Sequence, residues 1–131
     1  MDSERRTVVI GLHDSMQRDV FSQGASILGF SPVVAEDYEY MRDLISANPD
    51  AAGYICDVNL QDRTGRQTVD NGFNIYVAVR ERVAKKEARF LALSGSPETI
   101  DSASAKGIPQ EYLAVKPINL RNWFTTLSEQ N

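Results

Sequence analysis

The chain has 131 residues, 42% of them apolar and 24% charged, with a net charge of −4. That size suits one domain spanning residues 1–131, able to bury about two-thirds of its unfolded surface without staples. The acidic balance excludes broad electrostatic binding to nucleic acid, and the single cysteine, Cys56, excludes an internal disulfide.

Short β-rich runs alternate with helical patterns along the chain. Residues 7–12 (TVVIGL) are continuously apolar, as expected for a strand covered on both faces. A helix over about 15–28 follows, with Met16, Val20, Ile27 and Leu28 near helical spacing and Gly29 at its end. Residues 31–35 (SPVVA) read as a second strand, with Pro32 pointing to a sheet edge. Asp37 is placed to cap a helix carrying Met41, Leu44 and Ile45 and stopping before Pro49. The third strand, 52–58, leads into a polar stretch to about Asn71. A helix over 72–86 then carries Phe73, Tyr76, Val77 and Val83 on one stripe. Strands at 90–94 and 112–115 alternate with a Ser/Ala-rich helix at 97–106 and a closing helix at 119–128. The closing helix carries Leu120, Trp123, Phe124 and Leu127.

The pattern is (βα)5. Right-handed crossovers make it a doubly wound three-layer sandwich, for which a parallel five-stranded sheet in the order 2-1-3-4-5 is a common solution. The basic cluster Arg80, Arg82, Lys85, Lys86 and Arg89 is interrupted by Glu81 and Glu87 and reads as a solvated helix face. Cys56 lies inside an apolar strand and reads as a packing residue. No apolar stretch approaches the roughly 20 residues of a membrane span, and the charged start MDSERR leads into no secretory core, so a cytoplasmic location is expected.

Four polar residues each close an apolar run: Asp14, Asp57 (YICD), Ser94 (LALSG) and Lys116 (LAVKP). In a parallel sheet the carboxyl ends of the strands share one edge, where ligands bind. A carboxylate, a hydroxyl and an ammonium gathered there suit a metal ion and a phosphoryl group. The stretch 59–71 is long for a strand-to-helix connection, which normally takes about two to six residues, and long loops of this kind are often functional. No G-x-G-x-x-G or Walker-type loop occurs, and the turn HDSMQR after the first strand lacks a flavin's phosphate cradle.

On these residues the chain resembles the receiver domain of bacterial two-component response regulators, a flavodoxin-like fold, over essentially its whole length. Asp57 and Gly65 stand eight positions apart, as the family's strand-three aspartate and turn glycine do. Ser94-Gly95 and Lys116-Pro117 match its later motifs, 22 positions apart. The interval from Asp57 to Ser94 is about seven residues longer than usual, which the 59–71 loop absorbs. The resemblance implies a non-enzymatic signalling module in which Asp57 is the phosphoacceptor for a histidine kinase or phosphotransfer protein. Ser94 would hydrogen-bond the phosphoryl group and Lys116 would pair with it. Mg²⁺ would be held by Asp14, Asp57 and the backbone carbonyl of Asn59. A downstream effector would dock on the 97–128 face, without membrane or nucleic-acid contact.

Two departures accompany these matches. The family closes strand one with two adjacent acids, whereas this chain has Gly-Leu-His-Asp at 11–14. If His13-Asp14 fills the pair, Asp14 is the remaining acid; counted back from Leu28-Gly29-Phe30 without a gap, the pair falls on Leu12-His13. The first register is preferred, with His13 a satisfied, non-ligating histidine and Asp62 or Asp70 available to restore charge from the long loop. The family's aromatic switch position falls on Leu113, with Tyr112 one earlier. A phosphorylation-independent pseudo-receiver, acting as a protein-binding module, is the alternative that these departures support.

Overall fold

A computed structural model of the chain describes residues 6–129. Five parallel strands form one sheet in the order β2-β1-β3-β4-β5: β1 (Arg6–Gly11), β2 (Phe30–Ala35), β3 (Gly53–Asp57), β4 (Arg89–Ser94) and β5 (Leu113–Val115). The helices α1 (Ser15–Ile27), α2 (Tyr38–Ala47), α3 (Val69–Ala84), α4 (Pro97–Lys106) and α5 (Leu120–Glu129) follow the strands in turn. The expected (βα)5 sandwich and strand order are therefore present. Pro32 lies on the edge strand β2, where its missing N–H costs no ladder bond.

Alternate residues of each strand feed two cores, as the two-residue strand period requires. On one face Val8, Ile10, Ile55, Leu91 and Leu93 pack with Phe21, Ala25, Trp123, Phe124 and Leu127 of α1 and α5. On the other, Val9, Tyr54, Cys56, Phe90 and Ala92 pack with Met41, Ile75, Val79, Val83 and Ala103 of α2, α3 and α4. Cys56 is fully buried among them, and burial, reinforced by the neighbouring Asp57 charge, pushes its thiol pKa up.

Several expectations need correction. Met16, Val20 and Ile27 lie on the exposed side of α1, and Phe21 and Ala25 face the sheet instead. On α3 the buried stripe is Gly72, Ile75, Val79 and Val83, with Val77 left outside. That helix also starts three residues earlier than expected, at Val69, because the Thr68 side chain accepts from the Asp70 amide and caps it. Of the 80–89 basic cluster, Arg82 donates to the Tyr54 hydroxyl and Arg89 stacks over Trp123, so only part of it is solvated. Gly72 has a steric reason: a Cβ there would fall on the Val58 carbonyl, so α3 seats closely on the end of β3.

Candidate functional site

Asp57 is the last residue of β3 and is 2% exposed. Three donors hold its carboxylate. The His13 backbone N–H and the His13 ring Nδ1 lie 3.1 and 2.9 Å from Oδ2, and Lys116 Nζ lies 2.7 Å from Oδ1. A carboxylate offers only acceptors, so the ring nitrogen facing it is a donor, Nδ1–H. Charge-assisted bonds of this kind are about twice as strong as neutral ones.

Each donor is set by the local chain. Leu12 continues β1 by donating its amide to the Ala35 carbonyl (3.1 Å) and buries its side chain in the α1–α5 core, which leaves His13 at the sheet edge beside Asp57. Arg18 of α1 reaches back to the Leu12 and His13 carbonyls, at 2.8 and 2.9 Å, and fixes that turn. Lys116 follows β5, and its amide donates to the Ser94 carbonyl across the strand pair (2.8 Å). Its Nζ also donates to Gln17 Oε1 of α1 (2.8 Å), and the Lys116–Pro117 peptide is cis.

Ser94, 7% exposed, closes β4 at the same edge. Its Oγ accepts from the Ser96 amide (3.1 Å), and Ser96 in turn caps α4 by accepting from the Thr99 amide (3.3 Å). The Ser94 hydroxyl keeps its own hydrogen for another acceptor.

Solved structures share this architecture. The chemotaxis protein CheY4 of Vibrio cholerae superposes with a TM-score of 0.67 at 23% identity, over 97% of this chain and 99% of that one. A CheY-like receiver domain from Methylobacillus flagellatus gives 0.70 at 16% identity, over 98% and 100%. A response regulator protein from Burkholderia multivorans gives 0.64 at 20%, over 95% and 94%. The fold is that of a response-regulator receiver domain. No protein-family model and no curated protein sequence matches the chain.

Within this receiver fold, Asp57, Ser94 and Lys116 reach one edge, as their spacing suggested. Among the described residues Asp14 shares no hydrogen bond or ion pair with them: it precedes α1 as its N-cap residue, half-buried, and its side chain makes no cap bond. Asn59 sits just past β3, half-buried. The loop acids are engaged elsewhere. Asp62 accepts from the Thr64 amide and hydroxyl and the Arg66 amide, which holds its pKa down. Asp70 pairs with Lys106 of α4, which lowers its pKa likewise. The loop itself is pinned to α2 by the Tyr38 amide on the Gln61 carbonyl (2.8 Å) and the Arg63 amide on Glu39 (2.9 Å). Gly65 takes φ 87° in its turn, a conformation glycine adopts freely.

The receiver resemblance implies Mg²⁺, which needs near-octahedral oxygen ligation. The residues present do not suit it. Two nitrogen donors, both from His13, sit on Asp57 Oδ2, and Lys116 takes Oδ1, so both oxygens already have partners. Among the described residues no group of three or more His, Cys, Asp or Glu is placed to share a metal. Sequence reasoning missed His13 and Gln17 as site residues. Neither carried a signal: His13 lies before the N-cap of α1, and Gln17 reads as an ordinary first-turn residue of that helix.

Proposed function

We propose that the chain is a signal receiver whose switch is phosphorylation of Asp57 by a phosphohistidine on a partner kinase or phosphotransfer protein, in the cytoplasm. The observation that supports it is the Asp57 carboxylate held by the Lys116 ammonium at 2.7 Å with the Ser94 hydroxyl on the same edge. In the step, a carboxylate oxygen forms a bond to phosphorus, and the bond from phosphorus to the histidine nitrogen breaks, its electron pair leaving with the imidazole. An acyl phosphate serves as donor in the same way, releasing a carboxylate. Lys116 offsets the charge of the transferred group and the Ser94 hydroxyl donates to one of its oxygens.

The readout follows from the Ser94–Ser96 contact. A Ser94 hydroxyl drawn toward a phosphoryl oxygen loosens its acceptance from the Ser96 amide and so disturbs the cap of α4. The 97–128 face is then the surface offered to an effector. Incubation with acetyl phosphate should add about 80 Da to the intact mass, at Asp57 and not in Asp57→Asn. No addition, with an active receiver modified in parallel, removes this reading.

The pseudo-receiver is the second reading, favoured by one observation: both Asp57 oxygens already have partners and the residue is 2% exposed. It predicts that Asp57→Asn leaves partner binding unchanged in a pull-down with the effector.

A further inference from the structure

We propose that His13 stands in for the divalent cation: its backbone N–H and Nδ1–H hold one oxygen of Asp57 and Lys116 holds the other, so the site works without a metal. As a mechanism of phosphorylation this rests on the function proposed above; as a statement about metal binding it does not.

An aspartyl acceptor needs its own charge and that of the incoming phosphoryl group offset. A divalent cation with two further carboxylates leaves that site near balance. Here, among the described residues, no second and third carboxylate join Asp57 in a group that could hold a metal, and three N–H donors surround it instead. Asp57 Oδ2 receives two N–H donors at 3.1 and 2.9 Å, and Oδ1 receives an ammonium at 2.7 Å. Loss of acids and gain of donors therefore compensate within one edge of the sheet. An acid pair without a cation would repel Asp57, and a cation added to Lys116 and His13 would crowd the same two oxygens.

The donors are also held in place. Leu12, fully buried, anchors the residue before His13, and Arg18 binds both the Leu12 and His13 carbonyls. Gln17, in the first turn of α1, takes a second hydrogen of Lys116 Nζ at 2.8 Å and keeps it aimed along the edge. The His13 side chain is still 38% exposed. The ring is thus a donor at the mouth of the site rather than a core residue, so its replacement is expected to leave the fold intact. His13 acts through Asp57 and is a positioning residue.

The test compares labelling by acetyl phosphate in EDTA and in about 10 mM Mg²⁺, a concentration above the need of ordinary carboxylate sites. The wild type should label within about twofold in the two conditions. His13→Ala should label about tenfold more slowly in EDTA, the usual scale for one hydrogen bond to a charged group. His13→Asn, whose Nδ2 occupies nearly the place of the ring Nδ1, should restore most of that rate. His13→Asp should label only with Mg²⁺. Metal-dependent labelling of the wild type, or His13→Ala equal to wild type in EDTA, overturns the proposal.

If the wild type does not label under either condition, the proposed function fails and the metal question is settled separately by Mg²⁺ titration of amide NMR shifts. A silent wild type with saturable shifts in His13→Asp upholds the substitution of His13 for the ion. Saturable shifts around Asp57 in the wild type, lost in Asp57→Asn, overturn it.

Discussion

Helices α4 and α5 are ten residues each and pack on opposite faces of the sheet, yet they are anchored very differently. Helix α5 buries Trp123, Phe124 and Leu127, with Phe124 5.4 Å from the Phe30 ring and edge-on to Trp123 at 5.1 Å. Helix α4 buries only Ala103, with Ile100 half-packed, and relies on the Ser96 cap and the Asp70–Lys106 pair at its two ends. Apolar burial scales with area, so the first arrangement is costly to disturb and the second is cheap. The cheap helix is the one that Ser94 touches through Ser96. The switch proposed above would need one element that moves after a change at the carboxyl edge and one that stays, and α4 and α5 differ in that sense.

The largest expected effect breaks the rigid side. Phe124→Ala should cost about 3–5 kcal/mol of unfolding free energy, the range for a large core aromatic. Ala103→Gly should cost about 1 kcal/mol, mostly helix propensity. Urea denaturation of both variants reads the difference, and equal losses would dissolve the contrast between the helices.

Next comes the charge held between the faces. Lys116→Met leaves Asp57 buried with only the His13 donors, and about 2 kcal/mol should be lost, less than for a fully buried pair because Lys116 is part-exposed. Asp57→Asn in the same chain should recover most of it. A double-mutant cycle with no coupling would mean that Lys116 does not stabilise the carboxylate.

Most of this architecture was legible in the sequence, and the failures have physical causes. Strand runs are continuously apolar because both faces are covered, so β1, β3 and β4 were readable within a residue or two. The strand-end positions of Asp57, Ser94 and Lys116 followed from those runs. On α1, apolar spacing picked Met16, Val20 and Ile27, but Phe21 and Ala25 satisfy the same period from the opposite side, and only packing decides between them. The start of α3 was hidden because its first turn is polar: Thr68 caps it and Asp70 sits in it. The role of His13 was illegible for another reason. A histidine after an apolar run carries no sign of which carboxylate it meets, and its partner lies 44 positions away.

Two smaller effects sharpen the comparison on the lightly anchored side. Amides of α4 should exchange through local opening, and those of α5 only through global unfolding. Ser94→Ala removes the oxygen that accepts from Ser96, so exchange in the first turn of α4 should rise several-fold while α5 stays unchanged. Uniform exchange across both helices would show that α4 is held by more than its caps.

The smallest effect is electrostatic and has a definite sign. The hydrogen bond and charge of Lys106 lower the Asp70 pKa, and a depressed carboxyl pKa stabilises the fold above the unfolded value of about 3.9. That contribution is lost as the pH falls through the folded value. Asp70→Asn should therefore be slightly less stable than wild type near neutral pH and indistinguishable from it in acid. Asp62 is lowered too, but chiefly by the Thr64 hydroxyl and the Arg66 amide rather than by a facing cation. Raising the salt concentration should accordingly erase the Asp70 effect and leave that of Asp62→Asn in place, because ion pairs are screened and hydrogen bonds to neutral donors are not. Equal salt sensitivity at the two positions would mean that the Lys106 contact is no tether between α3 and α4, leaving α4 with its Ser96 cap and one buried methyl.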